Sequence, residues 1–152
     1  MKIKTFLFFV IVFIGIGSLL SVVSIPMGGS DCTGDSEYAV GLGNLGAYKL
    51  IKDYRVEMKK GGEPAVFMVS LKAGLKYRFL PINNPDNKAS MMMSIYMNKN
   101  KGMMLATSYN PVTKKHYPTI DFNCRTTGTF YLFFEMEGSD KGCGVGLFSV
   151  AN

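Results

Sequence analysis

Apolar and polar residues alternate along most of the chain after residue 47. Phe130, Leu132, Phe134 and Met136, for example, all fall on one side of their segment. A period of two is typical of a β-strand that buries one face. The pattern predicts strands over residues 48–58, 65–71, 76–80, 91–97, 103–109, 120–124, 129–137 and 143–150.

Turn residues separate these segments at short, regular intervals. Gly61-Gly62, Ala73-Gly74, Asn110-Pro111 and Thr127-Gly128 are typical of the sharp connections between strands. Alternation with one polar face favours antiparallel pairing. We therefore predict an all-β fold for residues 48–152: an antiparallel β-sandwich of about eight strands, jelly-roll-like or Greek-key-like.

The first 24 residues have the order of a secretory signal peptide. Lys2 and Lys4 precede an apolar run from Phe6 to Leu20, and small residues follow up to Ser24. The pattern predicts cleavage after Ser24, and the alternative is an uncleaved leader that anchors the chain in a membrane. Either way the chain is exported, to the periplasm, the cell surface or the extracellular space.

Residues 25–47 form a glycine-rich segment between the leader and the sandwich. Tyr38, Leu42 and Leu45 fall at helical spacing, which predicts a short helix within residues 36–45. Gly41 to Gly46 spells Gly-x-Gly-x-x-Gly, but the dinucleotide fingerprint needs a strand before it and a helix after it. We therefore interpret this run as a connector, and we predict no cofactor.

The formal net charge of +6 is mild, and its lysines are scattered among acidic residues. Nucleic-acid-binding proteins concentrate basic residues on one face, so we do not expect a nucleic-acid partner.

Three cysteines in an exported chain indicate a disulfide bond. Cys124 ends one predicted strand and Cys143 begins another, a spacing that suits a bridge between neighbouring or facing strands. Among the three pairings that are open, we predict Cys124–Cys143. Cys32 would then be free or available to another chain.

Several segments resemble the bacterial pre-peptidase C-terminal domain. They are residues 67–79, with Ala73-Gly74 between two strand patterns, Ile95-Tyr96, residues 118–122, and residues 127–132 with Thr127-Gly128 before a strand. The similar region covers about residues 66–150. The resemblance implies a jelly-roll-like β-sandwich of the kind appended to exported enzymes, and it carries over no ligand-binding residues.

Methionines are concentrated in the predicted hairpin over residues 91–109. Soft thioethers bind Cu(I), and Met91, Met93 and Met97 would lie on one side of a strand. A periplasmic Cu(I)-binding protein is therefore an alternative function. The simpler interpretation is that these side chains fill the core or an adaptable contact surface.

No residue set indicates catalysis, since His116 is the only histidine and has no predicted partner group. We expect a non-catalytic binding or accessory protein of the bacterial cell envelope that recognises protein or glycan. Aromatic side chains give a large contact area at small entropic cost. The expected binding surface consists of Tyr96, Tyr109, Tyr117, Tyr131 and Phe133.

Overall fold

The computed structural model of the protein describes residues 32–152. The predicted leader and residues 25–31 lie outside this range, so the leader stays a prediction. The chain forms one helix, α1 Asp35–Gly43, a 3-10 turn Glu137–Ser139 and ten strands. The strands are β1 Tyr48–Met58, β2 Ala65–Leu71, β3 Lys76–Asn83, β4 Met91–Tyr96, β5 Met104–Thr107, β6 Tyr109–Asn110, β7 Lys115–His116, β8 Ile120–Asn123, β9 Gly128–Met136 and β10 Gly142–Ala151.

Eight of the strands build two antiparallel four-stranded sheets. Sheet A has the order β1-β10-β3-β8 and sheet B the order β2-β9-β4-β5, while β6 and β7 form a separate small hairpin. Successive strands alternate between the sheets except for the hairpin β4–β5, which is the jelly-roll arrangement. The predicted antiparallel β-sandwich is therefore confirmed.

The core lies between the two sheets, where the predicted inward residues meet. Phe134 and Leu132 of β9 and Phe79 of β3 are fully buried, and the ring of Phe79 stacks on Phe148 at 5.0 Å. Gly146 of β10 leaves room for the Phe134 ring, since a Cβ atom there would collide with it. Period-two alternation in both sheets thus produces one continuous apolar layer.

Helix α1 covers the outer side of sheet A and forms a second, smaller core. Leu45, just after the helix, packs with Leu80, Val145 and Leu147. The helix lies closest to sheet A at Gly41. A Cβ atom at this position would collide with Leu147 and lie 2.9 Å from Ile82, so glycine allows the close approach. The predicted helix exists, but Leu42, one of the three apolar residues whose spacing predicted it, is 41% exposed.

Arg55 of β1 ties the start of α1 to sheet A. Its Nη1 donates to the carbonyl of Thr33 and to Asp35 Oδ1, the latter at 2.6 Å.

Among residues 32–152, no helix has the length and apolar character needed to span a bilayer.

The disulfide joins Cys32 to Cys143, with their Cα atoms 5.7 Å apart, and Cys124 is a buried free thiol. The prediction of Cys124–Cys143 was wrong, and Cys32 is not left over. The Cys124 amide donates to the carbonyl of Leu75, just before β3, whereas the Cys143 carbonyl accepts from the amide of Asn84, just after β3. Leu75 and Asn84 are nine residues apart along an extended chain, which is about 30 Å at ~3.3 Å per residue. A disulfide needs Cα atoms within about 7 Å.

The loop after β3 holds Cys143 in place for its bond to Cys32. Asn87 donates from Nδ2 to the Cys143 carbonyl at 2.6 Å and to Asn83 Oδ1 at 2.7 Å. The Cys143 amide donates back to Asn87 Oδ1 at 3.0 Å. The amide side chains that mark this segment as a loop therefore also position the disulfide.

Candidate functional site

The outer face of sheet B carries a row of apolar side chains that crosses all four strands. Met68 of β2 pairs with Tyr131 of β9, Tyr131 pairs with Tyr96 of β4, and Tyr96 pairs with Met104 of β5. Directly paired residues on one face of a sheet are side-chain neighbours. We call these four residues the Met–Tyr row.

The two ends of the Met–Tyr row are the most exposed. Met68 is 69% exposed and Met104 is 52% exposed, whereas Tyr96 and Tyr131 are half-buried. Met97 and Met103 follow at the β4–β5 turn, where the Met97 amide donates to the Met103 carbonyl at 3.2 Å, and both side chains are exposed. The result is a contiguous strip of thioethers and phenol rings.

Phe133 of β9 points to the same face but is not available to a ligand. Its ring contacts Tyr96 edge-on at 5.0 Å, and Lys101 Nζ lies 5.0 Å above it. Lys101 is held there by Glu135 at 2.7 Å. Phe133 is only 4% exposed, so its assignment to an exposed binding surface was wrong. It packs edge-on against the Tyr96 ring instead.

Tyr109 and Tyr117 lie on the small hairpin and not in the Met–Tyr row. The centres of the Tyr109 and His116 rings lie 4.6 Å apart with the ring planes tilted by 41°, and the Tyr109 hydroxyl donates to Glu137 Oε1 at 3.4 Å. His116 Nε2 lies 3.2 Å from Glu137 Oε2. Partial burial and the neighbouring Glu137 carboxylate raise the pKa of Tyr109. These contacts fasten the hairpin to the end of β9.

Tyr117 is the most exposed of the predicted tyrosines at 39%, with Lys115 Nζ 5.2 Å from its ring. Of the five predicted residues, Tyr96 and Tyr131 lie in the Met–Tyr row, and Phe133 contacts Tyr96 as a buried side chain. Met68 was missed, and Met104 was noted only as part of the methionine-rich hairpin over residues 91–109. Met68 carried a signal, because it is a large apolar residue on the outward side of its strand.

The three methionines of the Cu(I) hypothesis do not share one surface. Met93 is fully buried and Met91 is 4% exposed, both in the core near Gly146 and Gly144. Met97 follows the end of β4 and is 44% exposed. Within residues 32–152, no group of three or more histidine, cysteine, aspartate or glutamate side chains is placed to hold a metal ion.

Two clefts open near the start of β10. The larger, about 590 Å³, is lined by Cys32 and Cys143 and by side chains of both charges, including Lys60 and Asp86. The smaller, about 240 Å³, lies between the β1–β2 turn and the end of β9. Among the ionisable groups of residues 32–152, those with shifted pKa values are Tyr54, Arg55, Arg78, Tyr109 and Asp121. None of these five lines either cleft.

No protein-family model matches the chain, and no curated protein matches its sequence. The resemblance to pre-peptidase C-terminal domains therefore stays a prediction.

Proposed function

We propose that this protein is an exported, non-catalytic β-sandwich that binds a protein partner at the cell envelope through the Met–Tyr row. The observation that carries the proposal is the continuous apolar strip formed by Met68, Tyr131, Tyr96 and Met104 across sheet B. Contiguous exposed apolar surface is typical of interaction sites.

The composition of the strip favours a protein over a glycan. Methionine side chains are flexible and polarisable, and they adapt to apolar surfaces of varied shape. A thioether accepts hydrogen bonds only weakly, and the two tyrosine rings are half-buried. The strip therefore offers few groups to sugar hydroxyls but a large area to apolar side chains.

The electrostatics around the strip also suit an apolar contact. Glu135 is paired with Lys101 at 2.7 Å, and Glu137 lies 3.2 Å from His116. These two acidic side chains at the end of β9 are thus already partnered within the chain. A partner need not supply matching cations in order to bind there.

Export is supported by the predicted leader together with the Cys32–Cys143 bond, since disulfides persist in oxidising compartments. An accessory role beside an enzyme is the role that the resemblance to pre-peptidase C-terminal domains implies. We favour binding over catalysis because the distinctive surface of the molecule is apolar.

The test compares two lysine substitutions at exposed apolar positions. Met104→Lys places a charge in the strip, and Ile51→Lys, at a residue that is 50% exposed on β1, is the control on the other sheet. Each purified protein is used to capture partners from envelope extracts, followed by quantitative mass spectrometry. We expect Ile51→Lys to capture the same proteins as the wild type and Met104→Lys to lose them.

An identical captured set with Met104→Lys would refute the strip as the contact surface. Capture that survives protease treatment of the extract but not periodate oxidation of its sugars would show a glycan ligand. Recovery of the protein from the cytosol with all thiols reduced would refute export.

A further inference from the structure

The fold separates charges that are interspersed along the sequence. Within residues 32–152, the acidic side chains without an ion pair are Glu37, Glu57, Glu63, Asp86 and Asp140. Glu37 is buried on α1, and the other four lie in or next to the connections at the end of the sandwich where β10 begins. Among the described residues, the opposite end, where β3 and β9 begin, therefore has no unpaired acidic side chain.

Two turns at this opposite end are joined by hydrogen bonds. Residues 72–75 connect β2 to β3, and residues 124–127 connect β8 to β9. The Gly74 amide donates to the Cys124 carbonyl at 2.8 Å, and the Cys124 amide donates to the Leu75 carbonyl at 3.0 Å. The two turns therefore present one continuous surface.

This surface carries three basic side chains and one exposed apolar side chain. Lys72, Lys76 and Arg125 are exposed, and none of them forms an ion pair with any residue in 32–152. Leu75 lies between the two lysines in the turn and is 41% exposed. We call these four residues the basic turn surface.

Asp121 of β8 lies near Lys76 but does not cancel the charge of this surface. Arg78 donates hydrogen bonds to both carboxylate oxygens of Asp121. This hydrogen bonding is the main cause of the lowered pKa of Asp121, and the charge of Lys76 contributes less. Because Arg78 and Asp121 neutralise each other, the charges of the basic turn surface remain without a partner.

We propose that the basic turn surface docks on a bilayer that contains anionic lipids, with its basic side chains at the lipid phosphates and Leu75 between the headgroups. Apolar side chains next to lysine or arginine are typical of proteins that bind at the membrane interface. Basic residues close to an anionic leaflet are attracted to it, over a range set by the Debye length.

The position of Leu75 favours a bilayer over other anions. A free phosphate or a nucleic-acid backbone offers negative charge but no apolar layer to an exposed leucine. In a bilayer the phosphates and the acyl chains lie at adjacent depths, so one surface can contact both. The Met–Tyr row takes no part in this docking, so this proposal and the proposed function can fail separately.

Co-sedimentation of the disulfide-intact protein with lipid vesicles at physiological ionic strength tests the proposal. The vesicles consist of phosphatidylcholine alone or of an equal mixture with phosphatidylglycerol, and we expect binding to the mixture only. Lys72→Gln and Arg125→Gln should each lower the partition coefficient about fivefold. Lys88→Gln removes the same charge at the opposite end, where a Debye length of about 8 Å screens it from the bilayer, and should change binding little.

Absence of binding to the mixed vesicles overturns the proposal, as does equal binding to both kinds of vesicle. An equal loss with Lys88→Gln and Lys72→Gln would also overturn it, because net charge and not this surface would then drive binding. Capture of acidic envelope proteins that Lys72→Gln abolishes, without vesicle binding, would show a protein partner instead.

A second pair of variants tests the apolar contact. Leu75→Ser should lower the partition coefficient about threefold or more, since the leucine side chain then no longer leaves water on docking. Val112→Ser, at a residue that is 89% exposed on the β6–β7 hairpin, should bind as the wild type does. Unchanged binding of Leu75→Ser would overturn the entry of Leu75 between the headgroups. Circular dichroism of each variant checks that it is folded.

Discussion

Arg78, on the outer surface of sheet A, contacts an acidic residue, a backbone carbonyl and an aromatic ring. Arg78 of β3 forms a bidentate ion pair with Asp121 of β8: Nε donates to Oδ1 at 2.7 Å and Nη2 donates to Oδ2 at 2.9 Å. Its guanidinium also lies 4.2 Å from the centre of the Tyr48 ring. The hydrogen bond from Arg78 is the main cause of the lowered pKa of Asp121. The Arg78 side chain thereby adds a cross-strand contact to the backbone pairing of β3 with the edge strand β8.

The Arg78–Asp121 pair predicts a pH-dependent stability. Because folding lowers the pKa of Asp121, the pair stabilises the protein above the unfolded pKa, near 3.8, and is lost as the pH falls through the folded value. Asp121 is half exposed, so we expect Asp121→Asn to lower the free energy of unfolding at pH 7 by only about 0.5–1 kcal/mol. Urea denaturation should show this difference shrinking below about pH 4.

Asp86→Asn serves as the control for that experiment, since Asp86 is exposed and no described residue forms an ion pair with it. Its effect on the unfolding free energy should be smaller at pH 7. A difference for Asp121→Asn that stays constant from pH 7 to pH 3 would contradict the pairing as its cause.

Helix α1 depends on close approach more than on an apolar stripe. Gly41 faces Leu147 and Ile82, while Gly43, two residues later, has no neighbouring atom within 4 Å of a Cβ position. The two glycines therefore have different roles within one short element. Gly41 allows contact with sheet A, whereas Gly43 only weakens the helix.

This difference predicts opposite effects of the same substitution. Gly41→Ala should lower the free energy of unfolding by about 1–3 kcal/mol, because the new methyl group overpacks against β10 and β3. Gly43→Ala should raise it by up to about 1 kcal/mol, since alanine is the better helix former. Urea denaturation of both variants gives the comparison. Stabilisation by both would show that α1 is not seated on sheet A through Gly41.

The strands themselves were predictable because alternation is a local signal. β1 and β2 have the bounds that the sequence pattern predicts, and β9 begins one residue earlier. The hairpin of β6 and β7 was missed, because strands of two residues are too short to show a period. The outward side of β9 was predicted as well, but the cover over Phe133 comes from Lys101, which is distant in sequence.

Contacts that depend on strand order were not predictable from the sequence. Cys124 and Cys143 look like neighbours along the chain, yet β8 and β10 are separated by β3 and the two cysteines lie at opposite ends of the sheet. The Met–Tyr row is likewise a product of register between four strands. Sequence alone identified Tyr96 and Tyr131 as outward residues, but not that they are paired.

At the scale of the whole molecule, one covalent bond closes nearly the entire sandwich. Cys32 and Cys143 are 111 residues apart, so the loop that their bond closes contains every strand of both sheets except β10, of which only the first two residues lie inside the loop. In the chain-entropy model, closing a loop of this length stabilises the folded state by about 5 kcal/mol. Cys124 adds no crosslink, and its thiol donates to the Thr126 carbonyl at 3.1 Å within the core.

This arrangement predicts a defined pattern of thiol reactivity. The native protein should resist alkylation, because its free thiol, Cys124, is 4% exposed. Unfolding without a reductant should add one alkyl group, located on Cys124 by peptide mass spectrometry, and unfolding after reduction should add three.

Cys32→Ser should lower the free energy of unfolding by about 2–5 kcal/mol. Cys124→Ser, which removes no crosslink, should lower it less. An alkyl group found on Cys32 in the unreduced, unfolded protein would show that a different pair of cysteines is bonded, and α1 would then be held to sheet A by packing and the Arg55–Asp35 pair alone.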